Sequence, residues 1–452
     1  MELKRDVLNT MIAWKTKRNR KPMLLQGARQ VGKSWLLKKL GKQVFDNCVI
    51  VNIDREPVIA DIFAKTKDPH RIIEQIALIK GQPIQPEKTL LVLDEIQDSD
   101  EVLNALKYFN EDAPEYAVAC AGSLLGVALR RKGHSFPVGQ VDFMTLYPLT
   151  FIEFLEATDA RLASIVRSWK TDDPLPEMLR EELQDKLKLY MLVGGMPEAV
   201  AGWVETGDIR EVDKTLDNIL RAYPLDFSKY ATAAEVIRIN RVWNSMQRQL
   251  ARDNKRFKYS DVQKGARARE YETSVDWLCK AGLVHKVCNT ETVRLPLMAY
   301  KDENAFKLYL NDVGLLRRMF NLESTSVMQE SRLFMEFKGV LTENYVLMSI
   351  LCQGYEPLYW TSGNQAEVEF VIEDTGRIIP IEVKSKESIQ SKSLSEYRKK
   401  FNPELAIRCS QKNLQIRDGL LNLPLPLADR MKDYVKTTPG DIIEYRPDDI
   451  VK

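Results

Sequence analysis

GARQVGKS, residues Gly27–Ser34, fits the pattern G-x-x-x-x-G-K-[ST] and lies between a short apolar run, Met23–Leu25, and a helix opening at Trp35-Leu36-Leu37. Both flanks matter. The glycines let successive backbone N–H groups turn toward phosphate oxygens, and the helix N-terminus adds partial positive charge. Lys33 is spaced to reach the β and γ phosphates, and the Ser34 hydroxyl to ligate Mg²⁺. The loop Gly27, Ala28, Arg29, Gln30, Val31, Gly32, Lys33 and Ser34 is therefore expected to bind ATP with Mg²⁺. A plain Gly-rich turn before a helix is the bland alternative.

Working outward, short apolar runs alternate with helical patterns from Pro22 to about Leu149, as in a wound parallel sheet. The strand expected at Thr89–Leu93, within TLLVLDEIQ, ends in two adjacent carboxylates. A parallel strand presents its C-terminal end to the ligand crevice. There Asp94 is placed to hold Mg²⁺ and Glu95 to act as general base on the attacking water. The next strand, in YAVACAGS, ends at Gly122-Ser123, where Ser123 either senses the γ-phosphate or caps the following helix.

Composition narrows the classes. The chain has 452 residues, 44% of them apolar, and a net charge of +2, which fits about three globular domains rather than disorder. The longest apolar stretch, Ala117–Leu129, is broken by Gly122 and Ser123 and is too short to span a membrane. The start, MELKRDVLNT, has no apolar targeting segment, so the expected compartment is the cytoplasm. Six cysteines without a Cys-x-x-Cys pair, and three histidines, argue against a structural zinc site.

Residues 151 to about 230 read as helical, broken by the loop VGGMPEA. Between 235 and 290 there are twelve Lys or Arg against six Asp or Glu. The pattern there is helix, short turn, longer helix, then strand. Lys264, Arg267 and Arg269 fall near the start of the longer helix, where a recognition helix meets DNA phosphates. The alternative is a lid extension that touches a neighbouring subunit, with a homo-oligomer left open. Residues 291–330 are expected to be a connector.

AEVEFVIEDTGRIIPIEVKSK, Ala366–Lys386, reads as a hairpin with a two-residue loop at Thr375-Gly376. That register sets Glu369 across from Glu382, with Lys384 on the same face by alternation. Facing like charges call for a neutralising partner, and a divalent metal would serve. Glu343, in GVLTENYVLMSIL, is a candidate third carboxylate. On this reading Glu343, Glu369 and Glu382 ligate the metal, and Lys384 orients water.

RKPMLLQGARQVGKS, LLVLDEIQ, CAGSLLG, YPLTFIEFL and YMLVGGMPEAV, in this order, resemble a group of prokaryotic AAA-family ATPases with a C-terminal domain of unknown function. The set Glu343, Glu369, Glu382 and Lys384 resembles the PD-(D/E)xK nuclease fold, with Glu369 in place of the usual Asp. Many members of the group carry Gly-Arg before the YPL segment; here the pair is Gly139-Gln140, with Arg130 and Arg131 as substitutes or as a solvated turn. The resemblance implies an α/β chain in four parts. These are a P-loop AAA-type ATPase core (1–150), a helical lid (151–234), a winged-helix module and connector (235–330), and a restriction-endonuclease-like domain (331–452). It implies ATP-driven work on DNA with metal-dependent cleavage, or alternatively a nucleotide-gated switch for a protein partner with a silent nuclease-like domain.

Overall fold

The computed structural model describes residues 2–123, 125–128, 139–252, 254–329, 331–363, 366–385 and 392–437. Arg130 and Arg131 lie outside them. Two sheets organise the chain. The first is parallel, with order β2-β3-β4-β1-β5, from β1 (Met23–Gln26), β2 (Asn47–Asn52), β3 (Thr89–Asp94), β4 (Ala117–Ala121) and β5 (Asp142–Thr145). Every residue of β3 and β4 is buried, because helices cover both faces, and this is why their sequences run apolar instead of alternating. The N-terminal helix Val7–Lys15 packs Met11 and Trp14 into the same core as Met23 and Leu25. The loops at the C-terminal ends of β1, β3 and β4 carry Gly27–Ser34, Asp94-Glu95 and Ser123.

Residues 151–230 form five helices: Phe151–Thr158, Ala160–Ser168, Glu177–Val193, Pro197–Thr206 and Ile209–Tyr230. The first starts on a reciprocal cap, in which the Thr150 hydroxyl accepts from the Glu153 N–H and the Glu153 carboxylate accepts from the Thr150 N–H.

The second sheet has eight strands, ordered β12-β13-β11-β10-β9-β8-β6-β7. Its strands are β6 (Val284–Thr290), β7 (Asp302–Leu310), β8 (Leu358–Ser362), β9 (Ala366–Asp374), β10 (Arg377–Val383), β11 (Ala406–Ser410), β12 (Gln415–Arg417) and β13 (Leu420–Pro424). The β9–β10 hairpin has the expected register, Asp374 opposite Arg377 through Phe370 opposite Ile381. Its turn residues, Thr375 and Gly376, both have positive φ, as a tight two-residue hairpin requires.

The stretch 291–330 differs from the expected connector. It holds β7 and the helix Val313–Met319, and β7 pairs with β6 as an antiparallel hairpin. Strand β6 in turn pairs in parallel with β8, Asn289 opposite Tyr359 and Thr290 opposite Trp360. Residues 284–310 and 358–424 therefore share one sheet across the boundary placed at 330. Periodicity within a segment cannot reveal such a pairing, because the partner strands are far apart in sequence.

Several contacts lock this second unit to the helices that follow the first sheet. Asp429 accepts a hydrogen bond from the Ile152 N–H at 3.0 Å, at the first turn of the Phe151–Thr158 helix. Arg430 donates to the Val166 and Trp169 carbonyls, each at 2.6 Å, at the C-terminal end of the Ala160–Ser168 helix. An acid at a helix N-terminus and a base at a C-terminus both complement the helix dipole.

Candidate functional site

Gly27 turns with positive φ directly against the chain leaving β5: a Cβ there would sit 2.2 Å from the Leu146 carbonyl oxygen, so no other residue fits. Gly32 starts the helix Lys33–Val44 with φ of 93°. The Lys33 ammonium donates to the Gly27 carbonyl at 2.9 Å and the Ala28 carbonyl at 2.8 Å. Burial pushes its pKa down to about 8, while the nearby Glu95 and Asp94 carboxylates pull the other way. Lysine and both carboxylates thus share one site, although Asp94 and Glu95 leave a strand two positions from β1 in the sheet.

Glu95 adopts a left-handed backbone conformation, φ 55°, and its N–H donates to the Asp94 carboxylate at 3.1 Å. Its own carboxylate accepts from the Gln97 amide at 2.6 Å. That amide lies 3.3 Å from the Tyr230 hydroxyl, which donates to Asp98 at 2.9 Å. From the loop itself, Arg29 pairs with Asp226 at 2.6 Å. Asp226 and Tyr230 are four residues apart on the Ile209–Tyr230 helix and so share a face. One turn of that helix touches both the phosphate loop and the carboxylate strand. Burial raises the pKa values of Asp226 and Asp98, with Arg29 opposing it at Asp226 and Tyr230 opposing it at Asp98. Sequence patterns did not single out Gln97, Asp226 or Tyr230; the i, i+4 spacing on an otherwise amphipathic helix was the only signal.

Ser34 lies in the first turn of the helix after the loop, and Ser123 is buried at the end of β4, beside β1. Gln140, at the position of the group's arginine, bonds Asn110 and Glu111 on the helix Asp100–Asp112. The basic module also reaches the loop. Gly282, with φ of 71°, packs so closely on Ala28 that a Cβ would lie 3.1 Å from the Ala28 nitrogen. Lys264, Arg267 and Arg269 are exposed where the helix Ala268–Lys280 begins.

Most of the C-terminal carboxylates are paired with cations, and Glu369 stands among Glu343, Glu382 and Lys384. Glu343 is buried and bonds Lys255 and Tyr309, with the Lys307 ammonium 3.5 Å away. Burial works to raise its pKa, but Lys255 and Lys307 outweigh it and hold the group down at about 2. Lys307 also bonds Glu367. Glu382 is paired with Arg408 at 2.9 Å and with Lys384 at 3.3 Å. Glu369 accepts from the Val383 N–H at 3.2 Å; burial, reinforced by Glu343 and opposed by Lys384, pushes it up to about 7. Among the described residues, no three His, Cys, Asp or Glu side chains are grouped to hold a metal ion. Of the expected set, Glu343 and Glu382 are each held by cations, and both raise the pKa of Glu369. The hairpin register was right, but the neutralising charge comes from lysines and an arginine.

A phosphate loop at the end of β1, with an acidic pair at the end of β3 of a parallel sheet, defines a P-loop nucleotide-binding core. Residues 19–155 match the family described as AAA domain, so this part of the chain is a P-loop domain of the AAA ATPase class. Residues 184–326 and 338–428 match two families described as Domain of unknown function (DUF8612) and Domain of unknown function (DUF4143). Among curated proteins none matches. Among solved structures, the chain is similar to the Walker-type ATPase PABY2304 of Pyrococcus abyssi at 15% identity. That match covers 71% of this chain and 96% of that one, with a TM-score of 0.44. It is also similar to the Aeropyrum pernix ORC2 protein in its ADPNP–ADP complexes, at 13% identity over 72% and 93% of the two chains, TM-score 0.34. A third is AMPPCP-bound DnaA from Aquifex aeolicus, at 12% identity over 61% and 85%, TM-score 0.27. No helix among the described residues is long and apolar enough to cross a membrane.

Proposed function

We propose that the protein hydrolyses ATP at the Gly27–Ser34 loop and couples turnover to work on DNA. The observation that carries the reading is the buried Lys33 ammonium beside Asp94 and Glu95, a cation for phosphate next to a general base. The residues fit the nucleotide. Gly27 lets the loop turn tightly against Leu146, where a side chain would clash, and Lys33 holds its own loop carbonyls, contacts that phosphate oxygens can replace. Ser34 and Asp94 would hold Mg²⁺, which neutralises phosphate charge when bound. Glu95 takes the proton of the attacking water, held meanwhile by Gln97. Ser123, beside β1, is suited to sense the γ-phosphate.

For DNA, the support is the exposed trio Lys264, Arg267 and Arg269 at the start of a helix, on a module whose Gly282 turn abuts the phosphate loop. ATP turnover measured with single-stranded, duplex and branched DNA tests the reading. Stimulation by at least one form is expected, and indifference to all of them would favour the nucleotide-gated protein switch. A second reading, a nucleotide-gated switch for a protein partner with a silent nuclease-like domain, draws its support from the C-terminal ion pairs.

A further inference from the structure

The cations around the C-terminal carboxylates come largely from another part of the chain. Lys255 follows the helix Ala233–Leu250, and Lys307 lies in β7, both N-terminal to residue 331, whereas Glu343, Glu367, Glu369 and Glu382 follow it. Strand alternation brings Lys307 and Tyr309 to one face of β7, and both meet Glu343. The Lys307 ammonium contacts Glu343 and Glu367 and lies 4.9 Å from the centre of the Tyr359 ring, so two carboxylates and an aromatic face surround it. With Lys384 and Arg408 on Glu382, three carboxylates are paired with four cations, while Glu369 accepts from the Val383 N–H.

We propose that the Lys307 ammonium, backed by Lys255, takes the place of a divalent cation between Glu343 and Glu367, making the cluster a metal-free joint between strand β7 and the C-terminal elements. A metal site needs carboxylates with charge to spare, and here Glu343, Glu367 and Glu382 are already matched by cations. An ammonium carries one charge and has no vacant coordination position. It can neither polarise a bound water nor bridge two phosphate oxygens as a metal does.

The sheet distinguishes a removable plug from a fixed one. Lys307 sits opposite Val287 in the β6–β7 hairpin, and β6 is hydrogen-bonded to β8. The backbone that carries Lys307 is thus fixed by the eight-stranded sheet. This inference is separate from the ATPase reading and survives if DNA plays no part.

The test is Mn²⁺ binding by the nucleotide-free full-length chain, followed by the loss of the free-ion electron paramagnetic resonance signal. The wild type is expected to bind Mn²⁺ no more tightly than a Glu369→Gln variant does. Lys307→Met is expected to gain one Mn²⁺ site, which disappears again when Glu369→Gln is added. A wild-type site that Glu369→Gln removes would overturn the proposal, as would a cooperatively melting Lys307→Met that binds no Mn²⁺. If Lys307→Met does not fold, Lys255→Met takes its place with the same expectations. ATP turnover, followed alongside, reports on the phosphate-loop reading independently.

Discussion

His285 gives the structure a pH-dependent weak point beside the nucleotide site. It lies on β6, three residues after the Gly282 turn that presses on Ala28, and its ring is 5.9 Å from that of Tyr147, just past β5. The imidazole is largely buried and its Nε2 has no hydrogen-bond partner among the described residues, so burial holds its pKa down at about 4 instead of 6.5. Between those values the unfolded chain takes up a proton that the folded chain refuses. Stability is therefore intact above about pH 6.5, declines as the pH falls, and the full loss is reached near pH 4. At about 1.4 kcal/mol per pH unit, the gap amounts to about 3 kcal/mol over the whole window and about 2 kcal/mol between pH 7 and pH 5. His285→Leu keeps the volume nearly constant and removes the titration. Urea-unfolding curves at pH 7 and pH 5 check this, because other titrating groups cancel when the variant is compared with the wild type. The variant should lose about 2 kcal/mol less than the wild type on acidification. An equal loss in both proteins would refute the argument.

Lys33→Ala should weaken ATP binding by about 10- to 100-fold, since it deletes a charge-assisted contact to phosphate, whereas Glu95→Gln should retain binding and lower turnover by about 100-fold or more. Wild-type turnover by Glu95→Gln, measured at saturating ATP, would reassign the base. Asp226→Asn releases Arg29 toward the phosphates and removes a nearby negative charge, so ATP affinity in a fluorescent-nucleotide titration should rise by about twofold to fivefold; weaker binding contradicts the pairing as a restraint. The triple variant Lys264→Ala, Arg267→Ala, Arg269→Ala should lower DNA affinity and reduce the slope of log affinity against log salt by about 3. An unchanged slope in the folded triple variant removes this helix from the DNA interface.

The phosphate loop and its carboxylate strand were legible in the sequence because their chemistry is local: glycines where backbone must approach phosphate, and acids where an apolar strand ends. The β9–β10 register was legible for a similar reason, since Thr375-Gly376 fixes the turn and alternation does the rest. What the hairpin faces was not. Lys255 and Lys307 reach Glu343 across sequence separations of 88 and 36 residues, and no local pattern marks either lysine as anything but a solvated charge. Arg29 was read as a phosphate ligand, yet in this structure it holds Asp226, a residue 197 positions away on a helix whose periodicity signalled only packing. The β6–β8 pairing escaped for the same reason, and with it the true role of residues 302–310.

That pairing changes what counts as a separable piece of this protein. Family likeness divides the chain between residues 326 and 338, but the fold does not break there. A fragment beginning at 331 would leave β8 with a bare edge and an unpaired row of backbone groups, an invitation to stick to other copies. It would also strip Glu343 of Lys255, Lys307 and Tyr309 at once, stranding a buried carboxylate. Whatever history joined these sequences, they are now inherited as a single mechanical part: the strand pair 284–310 cannot be exchanged, trimmed or grafted without its counterpart, and natural variation at Lys307 should be constrained by Glu343 and Glu367 rather than by its neighbours in the chain.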